Sequence, residues 1–492
     1  MSESGNIIEE VTLNWTDLTG QKTGATKLGS NKFYKACIAE PISGTFSVTY
    51  NYGRVGTDGQ TLTETYSTLA EAQQALNKKV REKMNKGYRK LDMRTQEDEI
   101  AKAVAKGIEV PKKRAKTSTT SAHDLHPEVS NLLRLIYTEA GNAVRKGLSA
   151  SAGASDDAPL GNLRDSQIDK GADILEEIEA LIRKSSPGED KLIELTNDYL
   201  SNIPRNIDHA RRGGKLDLSL ILLSTEERIT EQRTFLTLLR DAHLQKDVFA
   251  SAAAAEDPTE IWYEGLNCEL AYIEPKSKEY KKVEQLFSVG QSPNNANFYE
   301  KLKVDRIWKL ERKGTKSAFD AYAKGVLKKK HATGLTFGWH GTRTENLMGI
   351  SRSGLHMPEN LPKGVAVTGR AFGLGIYHAP RWEDAGKARK DKDGAKYTRY
   401  NGALKSMNYT SLAGAYWSHG GGRSKGYLFL EELALGRPEV HLAACHDRAR
   451  PADGYDYIYA QSWGNPQLAH DEVVTFDENA SRLTHLLEIS AK

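Results

Sequence analysis

The chain has 492 residues, which at roughly 150 residues per domain implies about three domains. Hydrophobic residues make up 38% and charged residues 27%, a globular balance that excludes a fibrous or wholly disordered chain. The sequence has neither a run of about 20 apolar residues nor a basic-then-apolar leader, so we expect no membrane span and no signal peptide.

The net charge of +4 is unevenly distributed along the chain. Between Lys78 and Lys116 there are 14 Lys/Arg and 6 Asp/Glu, and 14 − 6 gives +8, so the remainder is slightly acidic. Such a block indicates a polyanion partner, because each neutralised phosphate releases condensed counterions. The alternative is a solvated helix face followed by a charged linker.

The first region alternates strands and turns. Polar and apolar residues alternate from Phe46 to Tyr52, which predicts strands within residues 30–66. A helix follows, because Thr68 and Glu71 have the spacing of a capping box ahead of an apolar stripe. Residues 92–122 lose this pattern and are predicted to be a basic linker.

The second region, residues 123–257, is predicted to be an all-α bundle. Apolar residues recur at helical spacing from Ile168 to Ile182, with Asp165 as the expected cap. Ser224 and Glu227 are the expected capping pair of a later helix.

The third region, residues 258–492, is predicted to be an α+β domain with a mainly antiparallel sheet. Short β-rich runs are separated by glycine-rich loops, and the runs are Leu270–Ile273, Val304–Leu310, Gly426–Leu433 and Glu472–Phe476.

Common phosphate and metal motifs do not match. Gly213-Gly214-Lys215 continues into leucine, which excludes a P-loop, and Gly373-Leu374-Gly375 has no third glycine. The three cysteines form no CxxC pair, so we expect no zinc finger, no disulfide framework and no bound metal. Unusual residues cluster most densely in two segments, Phe337–Ile350 and Gly369–His378.

Four motifs in order resemble the poly(ADP-ribose) polymerase family. The sequence WHGT at Trp339–Thr342 resembles the family's WHGS/T strand, and FGLGIY ending at Tyr377 its FGxGIY strand. KSMNY at Lys405–Tyr409 resembles KSxNY, and DEVV starting at Asp471 resembles the strand that carries the family's catalytic glutamate.

The resemblance extends over nearly the whole chain. NYGRVG at Asn51–Gly56 resembles the DNA-binding WGR module, with Tyr52 at the tryptophan position. APLGNL followed by Gln167-Ile168 resembles the helical regulatory domain. The implied domains are WGR at 1–91 with its core at 28–91, a linker at 92–122, a regulatory domain at 123–257 and a transferase domain at 258–492.

The family resemblance implies the site. His340, Tyr377 and Glu472 would be catalytic, and NAD+, the substrate, would also contact Gly341, Thr342, Ser406 and Tyr409. Glu472 would stabilise the positive charge that develops as the nicotinamide–ribose bond breaks and would polarise an acceptor hydroxyl. Lys405 would position acceptor or donor, or be an ordinary surface lysine.

The resemblance also implies a DNA-activated enzyme. The expected DNA contacts are Tyr52, Arg54, Lys78, Lys79, Arg81, Lys86 and Tyr88. The expected partners are nicked or broken DNA, preferably 5′-phosphorylated, and protein acceptors including the chain itself. We expect a monomer, in the nucleus of a eukaryote or with the cytoplasmic nucleoid of a bacterium.

Several departures from the family pattern leave alternatives open. His356 replaces a common arginine, residues 381–403 look like an insertion beside the nicotinamide pocket, and residues 451–468 do not match the usual loop. The leading hypothesis is polymer synthesis. The alternatives are mono-ADP-ribosylation of a protein or DNA end, and a catalytically weak scaffold at DNA ends.

Overall fold

The computed structural model describes residues 7–20, 29–39, 44–93, 125–152, 163–184, 188–213, 215–253, 259–293, 302–361, 371–390, 394–412, 424–446, 448–465 and 468–491. They form two compact units. Most of the predicted linker lies outside the described residues. Within the described ranges, no helix combines the length and apolar character needed to cross a membrane.

The first unit contains described residues of Met1–Thr120 and Asn142–Lys246. Its five-stranded sheet has the order β4-β3-β2-β1-β5. These strands are β1 (Ile7–Asp17), β2 (Ser30–Ala39), β3 (Phe46–Arg54), β4 (Gln60–Tyr66) and β5 (Arg89–Lys90). Helix α1 (Leu69–Asn85) packs on the sheet through Ala72 and Leu76. The Thr68–Glu71 capping box is confirmed.

The helical part of this unit has its own apolar core. The helices that follow α1 are α2 (Pro127–Ala152), whose buried residues belong to the second unit, then α3 (Asp165–Ile182), α4 (Glu189–Asn202), α5 (Leu218–Ile221) and α6 (Glu226–Ala253). A two-stranded sheet joins β6 (Arg211–Arg212) to β7 (Lys215–Leu216). Ile168, Leu175 and Ile178 are fully buried, as their helical spacing predicts.

Both predicted caps in the helical region are wrong by one residue. Arg164 is the N-cap of α3, because its backbone N–H donates to the Asp92 carbonyl and holds it in an extended conformation. Asp165 is therefore the first residue of the helix. At α6 the Thr225 hydroxyl accepts from the Arg228 N–H at 3.3 Å, whereas Ser224 donates to the Leu222 carbonyl.

Strand β1 connects the sheet to the helical region. Leu13 faces the α1 side, whereas the Asn14 amide donates to the carbonyls of Leu200 and Ser201 at 2.9 and 3.3 Å. The Ser201 hydroxyl accepts from the Thr16 N–H at 3.0 Å. Both faces of β1 are covered, so the strand is buried from Val11 to Asp17. It was not predicted, although Val11, Leu13 and Trp15 alternate with polar residues, which is the pattern of a strand.

The Gly56 turn makes a second contact in this unit. Gly56 has φ +93°, and a Cβ there would overlap the Asn206 side chain. The Asn31 amide donates to the Arg205 carbonyl at 2.6 Å. Glycine is required at position 56 both by its φ and by this close approach.

The second unit contains described residues of Ser121–Gly141, Asp247–Leu361 and Val367–Lys492. Its nine-stranded sheet has the order β15-β16-β17-β11-β10-β14-β18-β9-β8. These strands are β8 (Cys268–Tyr272), β9 (Leu302–Arg312), β10 (Gly334–Thr342), β11 (Ile376–Arg381), β14 (Lys425–Leu435), β15 (Pro438–His441), β16 (Tyr457–Ala460), β17 (Glu472–Thr475) and β18 (Ser481–Ala491). All its neighbouring strands are antiparallel except β15 and β16, so the predicted α+β, mainly antiparallel class is confirmed.

Short helices surround this sheet. They are α7 (Thr259–Leu266), α8 (Lys278–Ser288), α9 (Thr315–Val326), α10 (Leu347–Ser353) and α11 (Ala403–Met407). A separate hairpin pairs β12 (Ala388–Lys390) with β13 (Lys396–Thr398). The start of α2 also packs here, where Tyr137 stacks on Trp262 with ring centroids 5.3 Å apart.

Replacing Asn14 with alanine should destabilise the first unit by about 1–3 kcal/mol, because two buried carbonyls lose their donor. Urea unfolding followed by circular dichroism measures this change. The matched control is Asn77→Ala at an exposed position of α1, which should change stability little. Equal effects of the two substitutions would contradict the bridging role of β1.

Candidate active site

The site forms where α11 packs against the end of β10. Gly341 comes so close to α11 that a Cβ at this position would overlap the Ser406 carbonyl oxygen. The Ser406 hydroxyl donates to the Trp339 carbonyl at 2.9 Å. This contact requires glycine, and it leaves the backbone of Gly341 beside a buried hydroxyl oxygen that can still accept hydrogen bonds.

Asn401 fixes the approach of α11 and was not predicted. Its side-chain oxygen accepts from the Trp339 indole at 2.9 Å and from the Ala403 N–H at 3.1 Å. Its amide donates to carbonyls at the end of α8, including Leu286 at 2.7 Å. A lone asparagine in a loop gives no signal in the sequence, because its partners come from distant segments.

The structure brings Lys405 and Glu472 together. Glu472 is the first residue of β17, and the Lys405 ammonium forms an ion pair with its carboxylate. Burial lowers the pKa of Lys405 to about 7, and the nearby Asp471 carboxylate partly opposes this shift. The alternative that Lys405 is a surface lysine is wrong, since only 16% of its side chain is exposed.

Asp471 holds the residue next to Glu472 in place. Its buried carboxylate accepts from the Trp382 indole and the Tyr459 hydroxyl, both at 2.8 Å. It also accepts from the backbone and the hydroxyl of Ser462, at 2.9 and 2.7 Å. Four hydrogen bonds therefore fix the entry of β17.

His340 and Tyr377 lie on the neighbouring strands β10 and β11. Burial lowers the pKa of His340, so its imidazole is neutral near pH 7 and can both donate and accept a hydrogen bond. The Tyr377 hydroxyl donates to the Gly373 carbonyl at 2.9 Å and accepts from the Phe372 N–H at 2.8 Å. The ring of Tyr377 is thus held by the glycine loop that precedes β11.

A buried hydrogen-bonded pair supports these strands. His378 Nδ1 lies 2.9 Å from a Glu431 carboxylate oxygen, and His378 Nε2 lies 2.9 Å from the Thr475 hydroxyl. Both side chains are fully buried. The sequence did not reveal this pair, because positions 378 and 431 meet only across β10, which lies between their strands in the folded sheet.

The other residues discussed for this site are either more exposed or already have a polar partner within the protein. Tyr409 lies two residues beyond α11 and its side chain is 54% exposed. Thr342 is buried and accepts from the Asn346 amide at 3.1 Å. His356 lies 3.2 Å from Glu478.

In the first unit, the residues predicted to contact DNA border an aromatic cluster. Tyr52 stacks on Tyr34 with centroids 5.9 Å apart, and the Lys83 ammonium lies 4.4 to 5.6 Å from the rings of Tyr34, Tyr88 and Tyr52. Arg54 is exposed, as are Lys78, Arg81 and Lys86, whereas Lys79 is half-buried. Lys83, at the centre of the cluster, was not predicted.

Comparison with protein-family models matches all three regions. Residues 10–95 match the WGR domain, residues 123–263 the poly(ADP-ribose) polymerase regulatory domain, and residues 277–486 the poly(ADP-ribose) polymerase catalytic domain. The WGR match begins well before the predicted core at 28, in agreement with the position of β1.

Individual relatives agree with this assignment. Human protein mono-ADP-ribosyltransferase PARP3 is 24% identical over 468 residues, which cover 91% of this chain and 77% of the relative. Human poly [ADP-ribose] polymerase 2 is 28% identical over 397 residues, 76% of this chain and 61% of the relative. Arabidopsis thaliana poly [ADP-ribose] polymerase 1 is 24% identical, covering 77% of this chain and 36% of the relative.

The three matched domains occur along the chain in the same order as the motifs that resemble them. The fold of the catalytic region is the α+β class that was predicted for it. The chain belongs to the poly(ADP-ribose) polymerase family of NAD+ ADP-ribosyltransferases.

Proposed function

We propose that DNA breaks activate this enzyme and that it transfers ADP-ribose from NAD+ to protein acceptors, itself included, and elongates the product to poly(ADP-ribose). The observation that carries this proposal is the ion pair of Lys405 with Glu472, beside the close contact of Gly341 with Ser406. It places a carboxylate beside α11, the helix that also carries the Ser406 hydroxyl.

Each group has a role in breaking the nicotinamide–ribose bond. Gly341 backbone groups and the Ser406 oxygen hold the carboxamide, and Tyr377 and Tyr409 flank the ring. An aromatic face holds a planar ring with little loss of conformational entropy. The neutral His340 imidazole, with Thr342 beside it, contacts a ribose hydroxyl.

Glu472 acts on the other side of the reacting carbon. Its carboxylate stabilises the positive charge that develops as nicotinamide leaves, and it accepts a hydrogen bond from the acceptor hydroxyl. Orienting a hydroxyl acceptor is what chain elongation requires, so Glu472 favours polymer. The names of the relatives support a second candidate, single-unit transfer, because they include both mono-ADP-ribosyltransferases and polymerases.

DNA dependence is supported by the first unit. Exposed basic residues of α1 contact phosphates, and the tyrosine cluster around Lys83 contacts a sugar or base at a DNA end. The buried contact of β1 with α4 provides a route by which DNA binding alters the helical region. Coupling between two such sites is typically worth about 1–3 kcal/mol.

We place the working enzyme as a monomer on chromosomal DNA, in the nucleus if its host is a eukaryote and with the nucleoid if it is a bacterium.

Purified enzyme with NAD+ and a nicked, 5′-phosphorylated duplex should release nicotinamide about 5- to 150-fold faster than without DNA, in line with the usual coupling range. Gel electrophoresis of the product should show a ladder of chain lengths. Raising the salt concentration should weaken activation, because phosphate contacts are screened. The same rate with and without DNA would refute activation, and a single-unit product would select mono-transfer.

With DNA saturating, nicotinamide release should rise with pH through a midpoint near 7. Below that pH the protonated Lys405 holds the Glu472 carboxylate, and deprotonation above it frees the carboxylate for the ribose. In Lys405→Gln this midpoint should disappear, whereas the exposed control Lys328→Gln should keep it. An unchanged midpoint in Lys405→Gln would assign the titration to another group.

A further inference from the structure

The hairpin of β12 and β13 occupies the insertion between β11 and α11, and the described functions leave it unassigned. Its base is fixed by Asp384, which forms ion pairs with Arg389 at 2.6 Å and Arg399 at 2.8 Å. The Arg399 guanidinium lies 4.4 Å from the centroid of Trp382. Since the Trp382 indole donates to Asp471, the hairpin is anchored to the residue that precedes Glu472.

The hairpin also contacts the loop between β16 and β17. Tyr397 on β13 lies against Trp463, with ring centroids 5.1 Å apart. This loop leads directly into Glu472. The hairpin therefore has a fixed position beside the chain segment that delivers the carboxylate to the site.

The opposite face of the hairpin carries positive charge. Lys390 and Lys396 are directly paired across the two strands, so their side chains project from the same face, and both are exposed. Like charges directly opposite each other destabilise a strand pair. Among the described residues, which leave out the turn at 391–393, neither lysine has an ion-pair partner.

We infer that Lys390 and Lys396 form a docking surface for acidic segments of protein acceptors. Two ammonium groups on one face attract carboxylates, and the hairpin's anchoring to Asp471 keeps a docked segment near Glu472. A nucleic acid is a poorer fit, because single strands also need open aromatic faces. Here Tyr397 lies against Trp463, and Trp382 lies under Arg399. The inference rests on the proposed function and specifies its acceptor class.

The test measures binding to the full-length protein without NAD+ at low salt. Fluorescence anisotropy compares a labelled Glu/Asp-rich peptide, its Gln/Asn counterpart and a single-stranded oligonucleotide of equal charge. Lys390→Glu with Lys396→Glu should weaken binding of the acidic peptide about tenfold and leave binding of the Gln/Asn peptide unchanged. The control, Lys281→Glu with Lys282→Glu on α8, makes the same change in net charge at exposed positions and should have little effect.

A second variant separates docking from folding. Lys390→Gln with Lys396→Gln removes the repulsion between the two ammonium groups. It should therefore keep or raise the thermal stability of the protein while still weakening binding of the acidic peptide. Equal weakening by the α8 control, or no weakening by either hairpin variant, would overturn the inference. A loss of oligonucleotide binding as large as the loss of peptide binding would overturn the acceptor assignment. Nicotinamide release by the wild type without peptide tests the proposed function separately.

Discussion

The close packing of α11 against β10 is the constraint on which the candidate site depends. A glycine at 341 lets the helix approach, and the Ser406 hydroxyl and the Asn401 side chain tie it to Trp339. The same short helix carries Lys405, so this packing also determines where the ammonium meets Glu472. A side chain at 341 would separate the two elements and move every group of the site that α11 carries.

The start of β17, which carries the Glu472 carboxylate, is also held by several contacts at once. Asp471 accepts four hydrogen bonds from three side chains and one backbone N–H, and so fixes the start of β17. Electrostatic catalysis needs such preorganisation, because a charge that must reorient during the reaction stabilises the transition state less. Burial lowers the pKa of Lys405 to about 7, so its ammonium loses its charge, and its hold on Glu472, as the pH rises through neutrality.

Most elements with clear periodicity were predicted from the sequence, whereas features defined by tertiary contacts were missed. The strands around Tyr50 and the helix capped by Thr68 follow from alternation and capping chemistry. Strand β1 was not predicted, although Val11, Leu13 and Trp15 alternate with polar residues. What the alternation does not show is that the polar face, with Asn14, is buried as well, against α4. The cap at Asp165 was misplaced by one residue because the backbone of Arg164 bonds to Asp92, a partner far away in the sequence.

The same division applies to the site. Short motifs predicted His340, Tyr377 and Glu472 as site residues, whereas Asn401 acts only through segments that folding brings to it. A crystal structure with nicotinamide bound would test the central claim most directly. We predict that the carboxamide lies between the Gly341 backbone and the Ser406 oxygen. Nicotinamide bound elsewhere, or bound without either contact, would contradict this account.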